Sequence, residues 1–462
     1  MRILLKIIKW VVVLVVVLVV AAAGYLYFAP PDLIRVASAY SAKIVCSNVF
    51  VAGRDAGEVL ADDVQAPGHP ILTLIDVSVD REAKTVSAGL FGLFGKGLAV
   101  ARDGYGCATV PDGNLAAVPA TPAVAAPAAA GTGLWPDGET VQPSQDPAVA
   151  ALLDDPKLTG PGMRAVVVVH NGRIIGERYG KGFDAKTPLL GWSMTKSVNA
   201  ALVGTLVRDG KLKLDQAGLF PEWSDDRKDI KLSDLTSMSS GLEFNEDYGD
   251  VTDVTRMLYL EPDMAAFAAS KPLVAKVGEA WNYSTGTTVL ISKIWQGAAG
   301  ADALALPRKA LFGPIGMTSA VLEADARNTI VGSSYLYATG HDWARFGQLM
   351  LNGGEWKGTQ VVPADYVAWM HQAAAASKGE YGMGQVWLHG PAAGTPEGED
   401  PDKGFDIPDD AFWFLGHDGQ SIAVIPSKRL VVVRLGLTPS KLAYKSQGLV
   451  EALAKVVPLV PE

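Results

Sequence analysis

Gly191-Trp192-Ser193-Met194-Thr195-Lys196 heads an apolar segment, Ser197 to Arg208, in which Val198, Leu202, Val203 and Leu206 recur at helical spacing before Asp209-Gly210 stops it. The spacing predicts a helix that starts at the serine. Residues three apart share one helix face, so Ser193 and Lys196 lie side by side. A lysine kept neutral by burial can take the proton of the serine hydroxyl as it attacks a carbonyl, which is acyl-transfer chemistry without a histidine base. The competing reading makes Ser193 the ordinary N-cap of that helix, a position serine fills well. A single Ser-x-x-Lys pair is a weak signal, and its surroundings must strengthen it.

Working outward, Met163 to His170 is a β-branched run, Asn171-Gly172 a two-residue hairpin turn and Arg173 to Tyr179 its returning strand. Helices and loops dominate from Pro188 to about Met370. Strand patterns return in Phe412 to His417, Ser421 to Pro426 and Arg429 to Leu437, and a helical stretch, Lys441 to Val456, follows. Strands at both ends with a helical middle predict an α/β chain of the α+β type: one antiparallel sheet flanked by helices, with a helical subdomain inserted between its strands.

The chain has 462 residues, 49% of them apolar, which is material for two or three domains and a sizeable core. Its net charge of −9 is spread out, so nothing points to nucleic acid. The 6 histidines form no metal-ligand spacing, and no metal or other cofactor is implied. Arg2, Lys6 and Lys9 precede an apolar run, Trp10 to Phe28, that meets the roughly 20 residues a membrane span needs. The basic residues predict a cytoplasmic stub (1–9), a span (10–29) and an extracytoplasmic remainder at the inner membrane. A cleaved signal peptide, with Ala21-Ala22-Ala23 as its site, is the alternative. A small region (30–115) follows, with Ile71 to Val79 and Lys84 to Leu90 read as strands. It holds both cysteines, Cys46 and Cys107, as a disulfide candidate or as two buried thiols. The Ala/Pro-rich 116–145 reads as a linker, and the catalytic-looking domain spans 146–462.

Two more stretches strengthen the serine: Tyr283-Ser284-Thr285-Gly286, and Gly416-His417-Asp418-Gly419-Gln420 at a strand end. With Ser193-Met194-Thr195-Lys196 they form an ordered triple. On these motifs the chain resembles the serine β-lactamase and penicillin-binding-protein superfamily. The resemblance is to its class C-like branch of D-alanyl-D-alanine carboxypeptidases, esterases and 6-aminohexanoate-oligomer hydrolases. Leu235 to Gly241, Leu311 to Met317, Asp342 to Gly347 and Tyr381 to Trp387 support it. The resemblance implies Ser193 as nucleophile, Lys196 as its base and Tyr283 as the acid/base serving the leaving group. It also implies an oxyanion hole from the backbone N–H groups of Ser193 and Gln420, and His417 and Gly419 beside the substrate. A cationic Lys196 is expected to lower the pKa of the Tyr283 phenol.

Two departures bear on the substrate. Thr285 stands where penicillin-recognising members carry asparagine, and offers a hydroxyl and a methyl in place of an amide. His417 stands where many carry lysine, and an imidazole anchors a carboxylate less firmly than an ammonium does. Asp418, expected on the opposite strand face, is no obvious partner for it. Neutral amides and esters are favoured accordingly. The acidic segment Leu242 to Asp250, with Glu243, Glu246, Asp247 and Tyr248, reads either as a surface loop or as a substrate-covering loop in which Tyr248 touches substrate. The expected partners are a small-molecule or peptide-like amide or ester and, through the N-terminal helix, a membrane. The alternatives are a D-alanyl-D-alanine carboxypeptidase or β-lactamase, and a non-turnover sensor or binding module; no oligomeric state is read.

Overall fold

A computed structural model describes residues 2–124 and 131–458. The first helix, α1 (Arg2–Phe28), buries no residue and, among the described residues, is the one long and apolar enough to be a membrane span or a signal sequence. After Pro30-Pro31 the chain turns into α2 (Asp32–Phe50), which lies across an antiparallel sheet of β1 (Ile75–Asp80), β2 (Thr85–Leu90), β3 (Phe94–Arg102) and β4 (Gly106–Thr109) in sequential order. The strand expected from Ile71 begins only at Ile75, because Pro70 opens a tight 3₁₀ turn over Pro70–Leu74. Cys46 on α2 and Cys107 on β4 are joined as a disulfide, with Cα atoms 6.1 Å apart.

The remainder is built on α3 (Pro147–Asp154), β5 (Met163–His170), β6 (Arg173–Tyr179), α4 (Met194–Arg208), α5 (Thr285–Ala299), α6 (Gly340–Leu351), β7 (Phe412–Gly416), β8 (Gln420–Ile425), β9 (Leu430–Gly436) and α7 (Gln447–Val456). Five strands form one antiparallel sheet in the order β7-β8-β9-β5-β6, with β9 and β5 paired from opposite ends of the domain. Asn171 and Gly172, both at positive φ, make the tight β5–β6 turn that pairs His170 with Arg173. Alternation along β5 sends Ala165, Val167 and Val169 into the main core and Val166 and Val168 onto α3 and α7 on the other face. Buried on both sides, each of these valines contributes roughly 1.5–3 kcal/mol. The fold is thus a mixed, antiparallel-sheet architecture with the helical segment around α4 and α5 inserted between β6 and β7.

The N-terminal part is docked on this domain. Lys43 of α2 pairs with the buried Glu323, whose Oε1 also accepts from Ser47 Oγ at 2.8 Å and from the Cys107 N–H at 2.6 Å. Asp63 takes forked contacts from Arg54 and, at 2.7 and 2.8 Å, from Arg164 of β5. The stretch expected as a linker holds residues 125–130, which lie outside the described residues. Beyond Gly131 it is a packed strap: Trp135 is buried and Glu139 reaches His341 and Arg345 of α6 at 2.6 and 2.8 Å. Composition could not tell a strap from a linker, because what holds it are single contacts: Trp135, Glu139, and the Trp135 and Gly138 carbonyls that accept from Arg173 and Arg345.

Candidate active site

Ser193 stands at the start of α4 in helical conformation, half-buried, and its hydroxyl makes no capping bond. The hydroxyl is therefore free for chemistry. Trp192 before it has φ +48°, a strained value for a bulky residue, and is held there by Tyr335 and His417, with ring centroids 6.0 and 5.8 Å away. Two glycines let the β7–β8 hairpin close on this point. A Cβ on Gly416 would lie 2.2 Å from the Gly191 carbonyl oxygen, and one on Gly191 would strike Trp343 at 2.2 Å.

Lys196 follows one turn on, 1% exposed, with Nζ 3.1 Å from Ser193 Oγ, 3.0 Å from Thr285 Oγ1 and 3.1 Å from the Ser333 carbonyl oxygen. Burial lowers its pKa to about 8, with the Glu246 carboxylate pulling upward. Thr285, the first residue of α5, donates its backbone N–H to Glu246 Oε2 at 2.8 Å and its hydroxyl to Glu246 Oε1. Burial holds the Glu246 pKa above its usual value, although Lys196 and the Thr285 hydroxyl and N–H at this helix N-terminus pull it down.

Counting hydrogens fixes the polarity of this cluster. The Ser333 carbonyl can only accept, and Thr285, having given its proton to Glu246, can only accept from Lys196. Protonated, Lys196 donates to all three oxygens; once neutral, it keeps two N–H donors for Ser333 and Thr285 and turns its lone pair to Ser193 Oγ. That is the arrangement of a base.

Tyr283 packs its ring under Lys196, with Nζ 4.8 Å from the centroid, inside a box formed with Trp281, Tyr381 and Trp387. The expected lowering of its pKa is overturned. Burial, reinforced by Glu246, holds the phenol well above its usual value, while Ser193 pulls the other way. The ammonium meets the ring face rather than the oxygen, so Tyr283 stays a neutral hydrogen-bond donor. Thr285 also departs from its expected place, being fully buried between Lys196 and Glu246 rather than presented to substrate.

The His417-Asp418-Gly419 segment is a 3₁₀ turn between β7 and β8, with Asp418 and Gly419 at positive φ. The turn replaces strand alternation, and Asp418 Oδ1 comes within 3.5 Å of His417 Nε2 instead of facing away. The His417 side chain is 46% exposed beside Tyr248, ring centroids 5.1 Å apart. Gly419 turns its carbonyl to Arg434 Nη1 at 2.9 Å. Gln420 opens β8, and its side chain is spent on Gly436, bonding both that residue's carbonyl and its N–H, which leaves only its backbone for the site. Glu246 was named in the sequence merely as one carboxylate of an acidic loop. Its spacing carried no sign that Phe244, packed against Gly286, would deliver it to the lysine.

Sheet, serine and lysine together define a scaffold of the serine β-lactamase and penicillin-binding-protein-like superfamily. The family model "Beta-lactamase" matches residues 153–441, and the chain belongs to that family. Among curated proteins no relative matches. Solved structures share the fold at low identity. One is a Bacillus anthracis protein provisionally assigned as a 6-aminohexanoate-dimer hydrolase, at 22% identity and TM-score 0.51, covering 66% of this chain and 79% of that one. A penicillin-binding protein from Bacillus halodurans is 16% identical with TM-score 0.52, covering 66% and 99%. A family VIII carboxylesterase is 16% identical with TM-score 0.51, covering 69% and 99%.

Proposed function

We propose that this chain is a serine hydrolase, held at the inner membrane by α1 with its catalytic part outside the cytoplasm, that cleaves an amide or ester through an acyl-enzyme on Ser193. The observation that carries the reading is the buried Lys196, whose Nζ lies 3.1 Å from Ser193 Oγ while also within 3.1 Å of Thr285 Oγ1 and the Ser333 carbonyl oxygen. Lys196 takes the Ser193 proton as Oγ attacks the carbonyl carbon, and the N–H groups of Ser193 and Gln420 hold the oxyanion. Collapse of the intermediate breaks the bond to the leaving group, which receives a proton from Tyr283, while Lys196 keeps the proton it took from Ser193. Water then attacks the ester by the reverse relay and frees the acid. His417 and Tyr248 flank the bound substrate. Arg2, Lys6 and Lys9 ahead of the apolar helix support the orientation.

Mass spectrometry of the soluble part treated with a fluorophosphonate, and separately with a penicillin, tests this, with Ser193→Ala as control. We expect one phosphonate adduct, on Ser193, and hydrolysis of short neutral esters. A long-lived penicillin adduct would move the reading to a carboxypeptidase or a sensor. No adduct on Ser193 with either reagent would sink it.

A further inference from the structure

Against Trp192 and His417 a cavity of about 150 Å³ opens between the catalytic domain and the N-terminal part. Trp192 and Tyr248 form one wall, and Val36, Ala37, Ile71 and Leu72 form the other. The second wall lies outside residues 153–441, so it is an addition of this chain to the family scaffold. Its construction is local. Pro70 starts the 3₁₀ turn, His69 Nδ1 accepts the Ile71 N–H at 3.2 Å, and the turn presents Ile71 and Leu72 toward α2. His69, Asp250, His417 and Asp418 also line the cavity, which is therefore amphipathic rather than a plain apolar hole.

We propose that this cavity is a substrate subsite that takes an apolar group of about six non-hydrogen atoms, a short alkyl chain or a single ring, on the amide or ester cleaved at Ser193. The inference rests on the Ser193 reading above. Size sets the scale: about 150 Å³ is the volume of a cavity that holds one benzene-sized molecule. Position sets the role. Trp192, next to Ser193 in sequence, and Tyr248 both pack against His417, and all three line the cavity, which ties it to the serine end of the site. The N-terminal part then selects substrate instead of merely spacing the enzyme from α1.

The test is turnover of two aliphatic series by the full chain in detergent, followed by acid release: methyl esters from acetate to decanoate, and acetate esters from methanol to decanol. One series should peak near six carbons, with kcat/KM roughly tenfold above its shortest member. Ala37→Leu should cut that six-carbon to shortest-member ratio about tenfold, and Ile71→Ala should move the peak to longer chains. A ratio measured on one preparation cancels any loss of folded protein, and the two variants shift it in opposite senses. Flat profiles in both series, or ratios unmoved by either variant, overturn the subsite while leaving Ser193 as nucleophile. Absence of turnover together with absence of a phosphonate adduct on Ser193 removes the reading beneath it and the subsite with it.

Discussion

Glu246 accepts both the backbone N–H and the hydroxyl of Thr285, and by taking that hydroxyl proton it leaves Thr285 able only to accept from Lys196. The carboxylate thereby orients the lysine lone pair without touching the serine. In Glu246→Gln the amide oxygen is needed by the Thr285 N–H, so its NH₂ faces the hydroxyl and drives the Thr285 proton toward Lys196. We expect kcat to fall about 10- to 100-fold, a cost comparable with the loss of a general base's alignment. Because Glu246 raises the lysine pKa, the acidic limb of the kcat/KM profile should at the same time move to lower pH. A lower plateau with an unmoved limb would refute the assignment.

The lowered pKa of Lys196, about 8, sets the pH dependence of the wild type. The base must be neutral, so kcat/KM should rise about tenfold per pH unit below 8 and level off above it. Stability follows the same titration. The unfolded chain holds the lysine proton up to about 10.5 and the folded one only to about 8, so stability increases with pH across that window. Lys196→Met should lower kcat about 10³-fold yet leave the melting temperature at pH 7 unchanged or higher, since a buried cation is gone. Thermal unfolding beside ester turnover separates the two effects.

His341, buried on α6, is gripped by Glu139 Oε2 at 2.6 Å on Nδ1 and by Glu177 Oε2 at 2.7 Å on Nε2. Burial alone would lower its pKa, but the two carboxylates outweigh it and raise the value from 6.5 to about 9. A raised pKa contributes stability that is complete below about 6.5 and is lost as pH rises through 9. The contribution is on the order of 2 to 3 kcal/mol. Unfolding by urea should show wild type weakening from about pH 6.5 to 8, below the window in which Lys196 adds stability, while His341→Gln is flatter there. Equal slopes would mean that the strap from Gly131 is held by other contacts.

What was legible in the sequence was what periodicity and short spacing encode. Ser193 and Lys196 announce themselves because a helix turn is three to four residues, and the Asn171-Gly172 hairpin because few dipeptides tolerate two positive φ values. That strands from both ends share one antiparallel sheet followed from their patterns, while the order β7-β8-β9-β5-β6 did not. Burial and long-range placement were not written there. The upward shift of Tyr283 depends on a box closed by Tyr381 and Trp387, about a hundred residues away, and Asp418 meets His417 because a turn replaced strand alternation. Helix α2 was missed although Pro31 and the acidic Asp32 mark its start. The strand patterns downstream outweighed them.

The same distance hides the link from the N-terminal part to the site. Lys43 and Glu323 form a buried pair, and Glu323 in turn receives the Val331 N–H on its carbonyl at 2.9 Å and gives its own N–H to Tyr335 at 2.9 Å. The segment between these two residues carries Ser333, whose carbonyl holds Lys196. Lys43→Met leaves a buried carboxylate without its cation, which costs about 3–5 kcal/mol and lowers the melting temperature by roughly 5 to 10 °C. Adding Glu323→Gln removes the orphaned charge while keeping an acceptor for Ser47 and the Cys107 N–H, so the double variant should regain most of the loss. Ester turnover should follow the same order, depressed in the single variant and recovered in the double. Full activity in a destabilised Lys43→Met protein would show that docking of the N-terminal part and positioning of Lys196 are independent.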